Sequence, residues 1–259
     1  PAYNESLNII ENVRSLLSSH YVNYDVIIVN DGSKDNSLEL LIKAYDLVKV
    51  DYLINEQIKT KPLRAGVFKS TNPAFEKLIV VDKENGGKAD ALNFGLNISN
   101  SQYCACIDVD CLLLEDSLQK MIKPITDKQA DVVFGSRMLS QGSALQGGMP
   151  KYKFIGNKIL TYWQNLMSGA KLSEWHSGYR AYSTTSLKKT RYLDNSDYFD
   201  FDTEIILQML DAQQRICEIP IPTFYGDELS RVNGIKYGWR VAKHTTKWRI
   251  NKRRKNWKI

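Results

Sequence analysis

Short apolar runs of strand length alternate with longer segments of helical periodicity along most of this 259-residue chain. Apolar runs of about four to eight residues bounded by turn residues are typical of buried strands. Their alternation with helical segments favours an α/β domain in which helices cover a mainly parallel sheet. The runs assigned to strands are Asp25–Asn30, Lys77–Asp82, Tyr103–Asp108, Ala130–Gly135 and Cys217–Pro222.

Helices are predicted between these strands. Asn4 can cap a first helix, and Ser33 or Asp35 can cap a second one. Their apolar positions are Leu7, Ile10, Val13 and Leu17 in the first helix, and Leu38, Leu41 and Tyr45 in the second. Further helices are predicted at Lys88–Asn97, Ser117–Lys123, Tyr152–Met167 and Thr203–Asp211. The glycine-containing stretch Leu139–Pro150 has no periodicity, which predicts a loop.

Composition excludes several classes of protein. With 43% apolar and 25% charged residues, the chain is globular and not disordered. No apolar run approaches the roughly 20 residues of a membrane-spanning helix, and no export signal is visible at the start. The four cysteines show no C-x-x-C pairing, so a reduced, cytosolic setting is expected.

The charge is divided unevenly along the chain. Residues 229–259 contain eleven Lys or Arg and no Asp or Glu, which leaves 24 basic and 29 acidic groups elsewhere. A strongly basic end indicates an anionic partner, either a nucleic acid or a membrane surface, although a merely solvated tail is an alternative. The aromatic spacing there favours two short helices, or one helix followed by a basic end.

Two carboxylates follow the predicted strand that begins at Tyr103. Alternation along a strand sends Asp108 and Asp110 to the same side, where both can face one ligand. Hard oxygen ligands suit Mg²⁺ or Mn²⁺, and such an ion would neutralise a diphosphate leaving group. Two aspartates in a turn or a helix cap would give the same pattern, so the pair alone does not decide.

The neighbouring motifs carry a family resemblance. They are Pro1-Ala-Tyr-Asn-Glu5, Val29-Asn-Asp-Gly-Ser33 and Glu84-Asn-Gly-Gly-Lys-Ala-Asp-Ala-Leu-Asn93, in which a glycine turn, a cation and a helix start suit a phosphate. In this order, with the aspartate pair, they resemble the inverting glycosyltransferases of family 2. The resemblance implies a GT-A fold that binds a nucleotide-sugar, here over residues 1–225, followed by a basic, amphipathic helical tail at residues 226–259.

The two halves resemble different branches of that family. Residues up to about Lys123 are similar to bacterial polysaccharide synthases. Residues after about Asp131 are similar to dolichyl- or undecaprenyl-phosphate sugar transferases, through Gly135-Ser-Arg137, His176-Ser-Gly-Tyr-Arg180 and Arg231-Val-Asn-Gly-Ile-Lys236 among others. The Thr-Glu-Asp and Gln-x-x-Arg-Trp motifs of the synthases are absent. A lipid phosphate is already an anion and needs no general base, so a polyprenyl phosphate is the favoured acceptor.

The resemblance implies roles for single residues. Pro1, Tyr3, Glu5 and Asp31 would contact the nucleoside, and Lys88 the diphosphate. Asp108 and Asp110 would bind Mg²⁺ or Mn²⁺, while Arg231 and Lys236 would hold the leaving diphosphate. The remaining cations proposed for the acceptor phosphate are Arg137, Lys151, Lys153 and Arg180. Asp202 either lines the sugar site, as a catalytic residue, or is a carboxylate at a helix N-terminus. His176 is either a turn residue or a donor to sugar or phosphate.

The chain departs from the family pattern at two places. Leu112 stands where lipid-phosphate transferases often carry a further metal ligand. The apolar strand that normally precedes the motif at Pro1 is missing, which is expected of a fragment or of a composite sequence. The expected protein is a peripheral enzyme on the cytoplasmic face of a membrane, with its tail on the anionic surface. A polysaccharide synthase domain and a nucleic-acid-binding protein are the alternatives, although no nucleic acid is expected as a partner.

Overall fold

The structure is a computed structural model that describes residues 1–19, 21, 23–107, 117–196, 200–223 and 234–256, the last four by their backbone alone. The chain forms two compact units, Pro1–Lys120 and Met121–Ile259. The predicted boundary at residue 225 lies outside the described residues. Within them, no helix is both long and apolar enough to cross a bilayer.

The first unit contains an open sheet between helices. The sheet consists of β1 (Val26–Asp31), β2 (Leu47–Val50), β3 (Leu63–Ser70) and β4 (Leu78–Lys83), and the unit also includes β5 (Tyr103–Cys106), outside this sheet. Its helices are α1 (Ile9–Leu17), α2 (Ser37–Ala44), α3 (Lys88–Ile98) and the start of α4 (Ser117–Thr126). The order of the paired strands is β1-β4-β3-β2, with β1 and β4 parallel and the other pairs antiparallel.

The alternation along β1 and β4 divides the core of this unit into two layers. Val26, Ile28 and Val80 pack on the side of α1 and α2, together with Ile9 and Leu41. Val29, Val81 and Phe94 pack on the opposite side, against α3. Because both faces of the central strands are covered by helices, their sequences are continuous apolar runs and not alternating ones.

The second unit contains a smaller sheet and longer helices. Its strands are β6 (Val132–Ser136), β7 (Arg180–Ser183) and β8 (Ile216–Pro220), and β6 pairs antiparallel with β7 and parallel with β8. Its helices are α5 (Ser143–Gln146), α6 (Lys151–Ser168), α7 (Thr184–Leu187), α8 (Phe201–Asp211) and α9 (Gly234–Asn256). Short 3₁₀ helices occur at Pro73–Phe75 in the first unit and Tyr192–Asp194 in the second.

The C-terminal segment is one docked helix. Helix α9 packs against α6 and α8, and Val241 and Thr245 are completely buried in these contacts. Gly238 approaches α6 so closely that an added Cβ would lie 3.4 Å from Leu160. The Trp248 indole donates to Asp211 at 2.7 Å. Both arrangements predicted for the basic end were favoured over one long helix, but the structure has one continuous helix from Gly234 to Asn256, and tertiary packing holds it in place.

The α/β architecture and the main elements are confirmed, with shifts of a few residues at their ends. The sheets are mixed, because β2, β3 and β7 all form antiparallel pairs. These three strands were not predicted. The prediction that Asn4 caps a helix is wrong: α1 begins at Ile9, and the Asn4 side chain accepts from the Lys34 amide at 2.7 Å. The predicted loop after Leu139 includes α5.

Candidate donor and acceptor sites

In the first unit, the turn at residues 1–5 is hydrogen-bonded to the turn that follows β1 and to the start of α2. The amide of Asn4 donates to Ser33 Oγ at 2.9 Å, and the amide of Glu5 donates to Ser37 Oγ at 3.0 Å. Ala2 forms a parallel bridge to Asn30, so residues 1–5 lie beside the carboxyl end of β1. Ligands of open α/β sheets bind at this end of the strands. Pro1, Tyr3 and Glu5, which were predicted to contact the nucleoside, are therefore grouped there and half-buried.

Asp31 is almost completely buried. It is 3% exposed, and its carboxylate accepts from Lys83 Nζ at 2.7 Å and from the amides of Gly86 and Gly87 at 3.0 and 2.8 Å. The ammonium of Lys83 is itself fully buried and also pairs with Asp90 at the start of α3. In this geometry the Asp31 carboxylate holds the glycine turn, and its contact with the nucleoside stays a prediction.

The same contacts change the reading of the glycine turn as a phosphate site. The amides of Gly86 and Gly87 already bind a carboxylate, so they are not available for a phosphate in this arrangement. Lys88 is the first residue of α3 and is half-buried, a position where cation and helix N-terminus can both face an anion. Gly32 is required nearby, since its φ is +69° and an added Cβ would lie 2.7 Å from the Asn85 nitrogen.

Asp82 forms a second buried polar centre at the end of β4. Its carboxylate accepts from Arg64 Nε and Nη2 at 2.8 and 2.7 Å, and from Asn30 Nδ2 at 2.6 Å. Neither Lys83 nor Asp82 was predicted to have a role. The only sequence signal was a pair of charged residues directly after an apolar strand.

In the second unit, Arg137 is held by a buried glutamate. Glu174 accepts from the Arg137 amide at 2.8 Å and from Nε at 3.0 Å, and it also pairs with Nη2. Asn157 of α6 donates to the same carboxylate at 2.8 Å. Burial by itself would raise the pKa of Glu174, but the Arg137 guanidinium lowers it below its ordinary value. Glu174 is therefore a charged anchor that fixes the orientation of Arg137.

Arg137 also lines a cavity of about 280 Å³. Lys158 and Phe154 of α6 line it from another side, and the Lys158 ammonium lies 4.8 Å from the centre of the Phe154 ring. The other lining residues are Met138, Ser140, Gln141, Gly142 and Ala144. None of these described residues is acidic, so the cavity combines two cations with the apolar Met138 and Phe154 among polar neighbours. Neither Lys158 nor Glu174 was predicted to have a role. The predicted helix at Tyr152–Met167 included Lys158, whereas no sequence signal pointed to Glu174.

Arg180 does not reach a cavity. It is 2% exposed, and its guanidinium donates to the carbonyl oxygens of Ser177, Asp202 and Trp175 at 2.9 to 3.0 Å. It also pairs with the Asp202 carboxylate at 3.1 Å, which raises the pKa of Arg180 although burial would lower it. This burial favours a structural role for Arg180 and the structural alternative for Asp202, and the acceptor role of Arg180 stays an untested prediction.

The other cations predicted to bind the acceptor phosphate or the leaving diphosphate are dispersed. Lys151 is exposed at the first residue of α6, Lys153 is half-buried on the same helix, and Lys236 is exposed in the first turn of α9. None of them is among the cavity-lining residues. Asp108, Asp110 and Arg231 lie outside the described residues, so the metal and diphosphate roles assigned to them stay predictions.

His176 is a partly buried contact between the sheet region and α9. Its Nδ1 lies 2.8 Å from the Tyr237 hydroxyl, and the two rings meet edge to face. Burial lowers the pKa of His176 to about 4, and the cations Arg180 and Arg137 add to the decrease against the opposing charge of Glu174. A neutral ring inside the protein favours the turn alternative over contact with a sugar or phosphate.

A two-unit α/β fold with polar turns at the carboxyl ends of its strands is the architecture of GT-A glycosyltransferases. The family model described as "Glycosyl transferase family 2" matches residues 1–82 and 59–190. This chain therefore belongs to glycosyl transferase family 2, as its motifs predicted.

Relatives and solved structures agree with that assignment. The chain is 26% identical over 246 residues to a UDP-N-acetylglucosamine–dolichyl-phosphate N-acetylglucosaminyltransferase of Methanococcus voltae, covering 93% of this chain and 90% of the relative. It is 30% identical over 147 residues to a poly-β-1,6-N-acetyl-D-glucosamine synthase of Staphylococcus aureus, covering 56% of this chain and 29% of the relative. These similarities correspond to the two branches that the motifs resemble.

The fold is shown by glucosyl-3-phosphoglycerate synthase from Mycobacterium tuberculosis. Its structure with Mn²⁺, UDP-glucose and phosphoglyceric acid has a TM-score of 0.61 at 16% identity, over 96% of this chain and 77% of that one. The predicted GT-A fold is confirmed.

Lys83 provides a test of the buried ion pairs. We expect Lys83→Met to lower the free energy of unfolding by about 3–5 kcal/mol, because the substitution leaves the buried Asp31 and the partly buried Asp90 without their cation. Lys43→Met, at an exposed position of α2, is the matched control and should change it little. Urea denaturation at neutral pH measures both, and an equally small effect at the two positions would contradict the role assigned to Lys83.

The contact between His176 and Tyr237 should make the stability of the protein sensitive to acid. Its pKa is lower in the folded state than the ordinary 6.5, so the unfolded state binds its proton first as the pH falls. Stability should therefore be complete above about pH 6.5 and decline towards pH 4, by about 2 kcal/mol at pH 5 from this residue alone. The difference in unfolding free energy between wild type and His176→Asn should shrink by this amount from pH 7 to pH 5. A difference independent of pH would contradict the assignment.

Proposed function

We propose that this protein transfers a sugar from a nucleotide-sugar donor to a polyprenyl phosphate. The observation that carries the proposal is the cavity in which Arg137 and Lys158 lie together beside Met138 and Phe154. Two cations suit a phosphate, and the Met138 and Phe154 side chains beside them suit the first carbons of a lipid chain.

The chemistry of the acceptor agrees with that cavity. A phosphate monoester is an anion at neutral pH, so its oxygen can attack the anomeric carbon directly. The new bond joins that carbon to the acceptor oxygen, the bond to the donor diphosphate breaks, and the configuration at the carbon inverts. No general base is needed, which fits lining residues that include no carboxylate among those described.

Glu174 has a positioning role in this proposal. Its buried carboxylate fixes the Arg137 guanidinium through several hydrogen bonds, so little side-chain entropy is lost when a phosphate binds. Similarity over nearly the full length of the Methanococcus dolichyl-phosphate transferase further supports a lipid phosphate as the acceptor.

The donor would bind in the first unit, at the turn formed by Pro1, Tyr3 and Glu5 and near Lys88. From the sequence, Asp108 and Asp110 would hold Mg²⁺ or Mn²⁺, as Mn²⁺ accompanies UDP-glucose in the structural relative. When bound, the ion would neutralise the departing diphosphate. Arg231 and Lys236 remain candidates for holding the same group.

The protein would act as a peripheral enzyme on the cytoplasmic face of a membrane, where its lipid substrate lies. Residues 229–259 support this through their eleven basic groups. Because α9 is packed into the second unit, deleting it would disturb the fold and would not test membrane binding alone.

Addition of sugars to a growing glycan is the second candidate, favoured by the similarity to the staphylococcal synthase. Incubation with radiolabelled nucleotide-sugars and mixed polyprenyl phosphates separates the two. Label in the organic lipid extract supports the proposed acceptor, and label in a precipitable polymer supports the synthase. Thermal stabilisation by each nucleotide-sugar, with and without Mn²⁺, identifies the donor first.

Metal dependence is tested at Asp110. We expect Asp110→Asn to abolish most transfer while leaving the unfolding temperature unchanged, because the substitution removes a charge at nearly constant shape. Excess chelator should have the same effect on wild type, with Mn²⁺ restoring activity. Full turnover in the variant or in the chelator would show that no metal acts there.

The acceptor role of Arg137 needs a variant without an unpaired buried charge. We expect Arg137→Met with Glu174→Gln to raise the KM for polyprenyl phosphate about tenfold or more, because one of two phosphate-binding cations is lost. Glu174→Gln alone keeps the cation and should have a smaller effect. Donor-induced thermal stabilisation should be unchanged in both, and an equal loss of donor binding would assign Arg137 to the donor instead.

A further inference from the structure

Helix α6 carries a row of exposed apolar side chains. Tyr152, Ile155, Ile159, Tyr162 and Leu166 are between 56% and 73% exposed. Their spacing alternates between three and four residues, which places neighbouring members one turn apart on the same face. We refer to these five residues as the α6 stripe.

The stripe is narrow and straight. At about 100° per residue, its members fall within about 80° of the helix circumference, and they extend over about 21 Å along the axis. The opposite side of α6 packs inward, where Thr161 and Gln164 are buried. Such a row is larger than the single exposed apolar residues that are normal on a protein surface.

The charged residues within α6 and within α9 have one sign. Helix α6 contains Lys151, Lys153 and Lys158 and no acidic residue, and the exposed Lys151 and Lys158 border the stripe on one side. Helix α9, which packs beside α6, likewise contains no acidic residue. Its exposed residues Ile235, Trp239 and Ile250 lie within about 60° of one another around the helix.

We propose that the α6 stripe is a membrane-docking surface, which lies flat on an anionic lipid bilayer with its apolar side chains among the acyl chains. Lysines beside an apolar helix face suit this arrangement, because their stems cover apolar surface while their ammonium groups reach the lipid phosphates. The choice of occupant rests on charge. A second copy of the chain would bring two cationic faces together, and an anionic lipid surface complements them.

The role of the docking surface in catalysis rests on the proposed function, because it would bring the enzyme to a lipid acceptor. Membrane binding by the α6 stripe does not depend on which acceptor is used. Phe154 and Lys158 line the cavity from the same helix that bears the stripe, on the adjoining side. A lipid phosphate bound between Lys158 and Arg137 would thus have its chain next to the bilayer. The element that enters the membrane is α6, with α9 adding charge, whereas the sequence predicted that the tail alone makes this contact.

The test removes apolar surface without changing the helix. Ile155→Ser with Ile159→Ser replaces two exposed residues by one of similar helix propensity. Leu7→Ser with Leu53→Ser is the matched control, since these leucines are 94% and 96% exposed in the first unit. Co-sedimentation of the full chain with phosphatidylglycerol-containing vesicles and with pure phosphatidylcholine vesicles, at low and high salt, measures binding.

We expect the stripe variant to bind the anionic vesicles at least about tenfold more weakly than wild type. The control variant should bind like wild type. Part of the wild-type binding should persist at high salt, because apolar contacts are not screened. Sedimentation of the stripe variant equal to wild type would overturn the proposal. So would a change from dimer to monomer in analytical ultracentrifugation with vesicle binding unaltered.

Transfer to a short-chain polyprenyl phosphate in detergent separates this inference from the proposed function. Stripe-dependent vesicle binding without such transfer would leave the docking surface intact and refute the lipid acceptor. Transfer with stripe-independent vesicle binding would refute the docking surface alone.

Discussion

The first unit depends on one buried ammonium. Lys83 lies at the end of β4 and joins Asp31, at the end of β1, to Asp90 in the first turn of α3. A charge completely removed from water must be paired and hydrogen-bonded, so these residues determine one another's positions. The turn through Gly86 and Gly87 follows from them, because both amides bind Asp31. The N-terminus of α3 is thereby fixed beside the residues proposed to bind the donor.

The second unit uses a buried carboxylate and a buried guanidinium in the same way. Glu174 is inaccessible and charged, and the arginine that neutralises it is the one that reaches the cavity. Arg180 is the reverse case, a cation whose partners are all internal. Two arginines from similar motifs thus have different tasks, and burial separates them. Under the proposed function a phosphate would bind the partly exposed Arg137, whereas binding to the buried Arg180 would require unfolding part of the core.

Membrane attachment and acceptor binding share one helix in this interpretation. Helix α6 contributes Asn157 to the anchor of Arg137, Lys158 to the cavity and the stripe to the lipid surface. An enzyme whose acceptor has a soluble head and an insoluble tail must meet both parts at once. A single amphipathic helix can do this, because its sides differ in chemistry while its backbone holds them at fixed spacing.

The sequence by itself determined the α/β class, the strands β1, β4, β5, β6 and β8, the helices α3, α6 and α8, and the family. These follow from local periodicity and short motifs, which neighbouring residues encode. Only the tertiary structure decided which charged residues face inward. Asp31 and Lys83 lie 52 positions apart and Arg137 and Glu174 lie 37 apart, so no local pattern links them. Burial then separated the enclosed Asp31, Lys83 and Glu174 from the partly exposed Arg137, because a charge removed from water must be paired inside the protein.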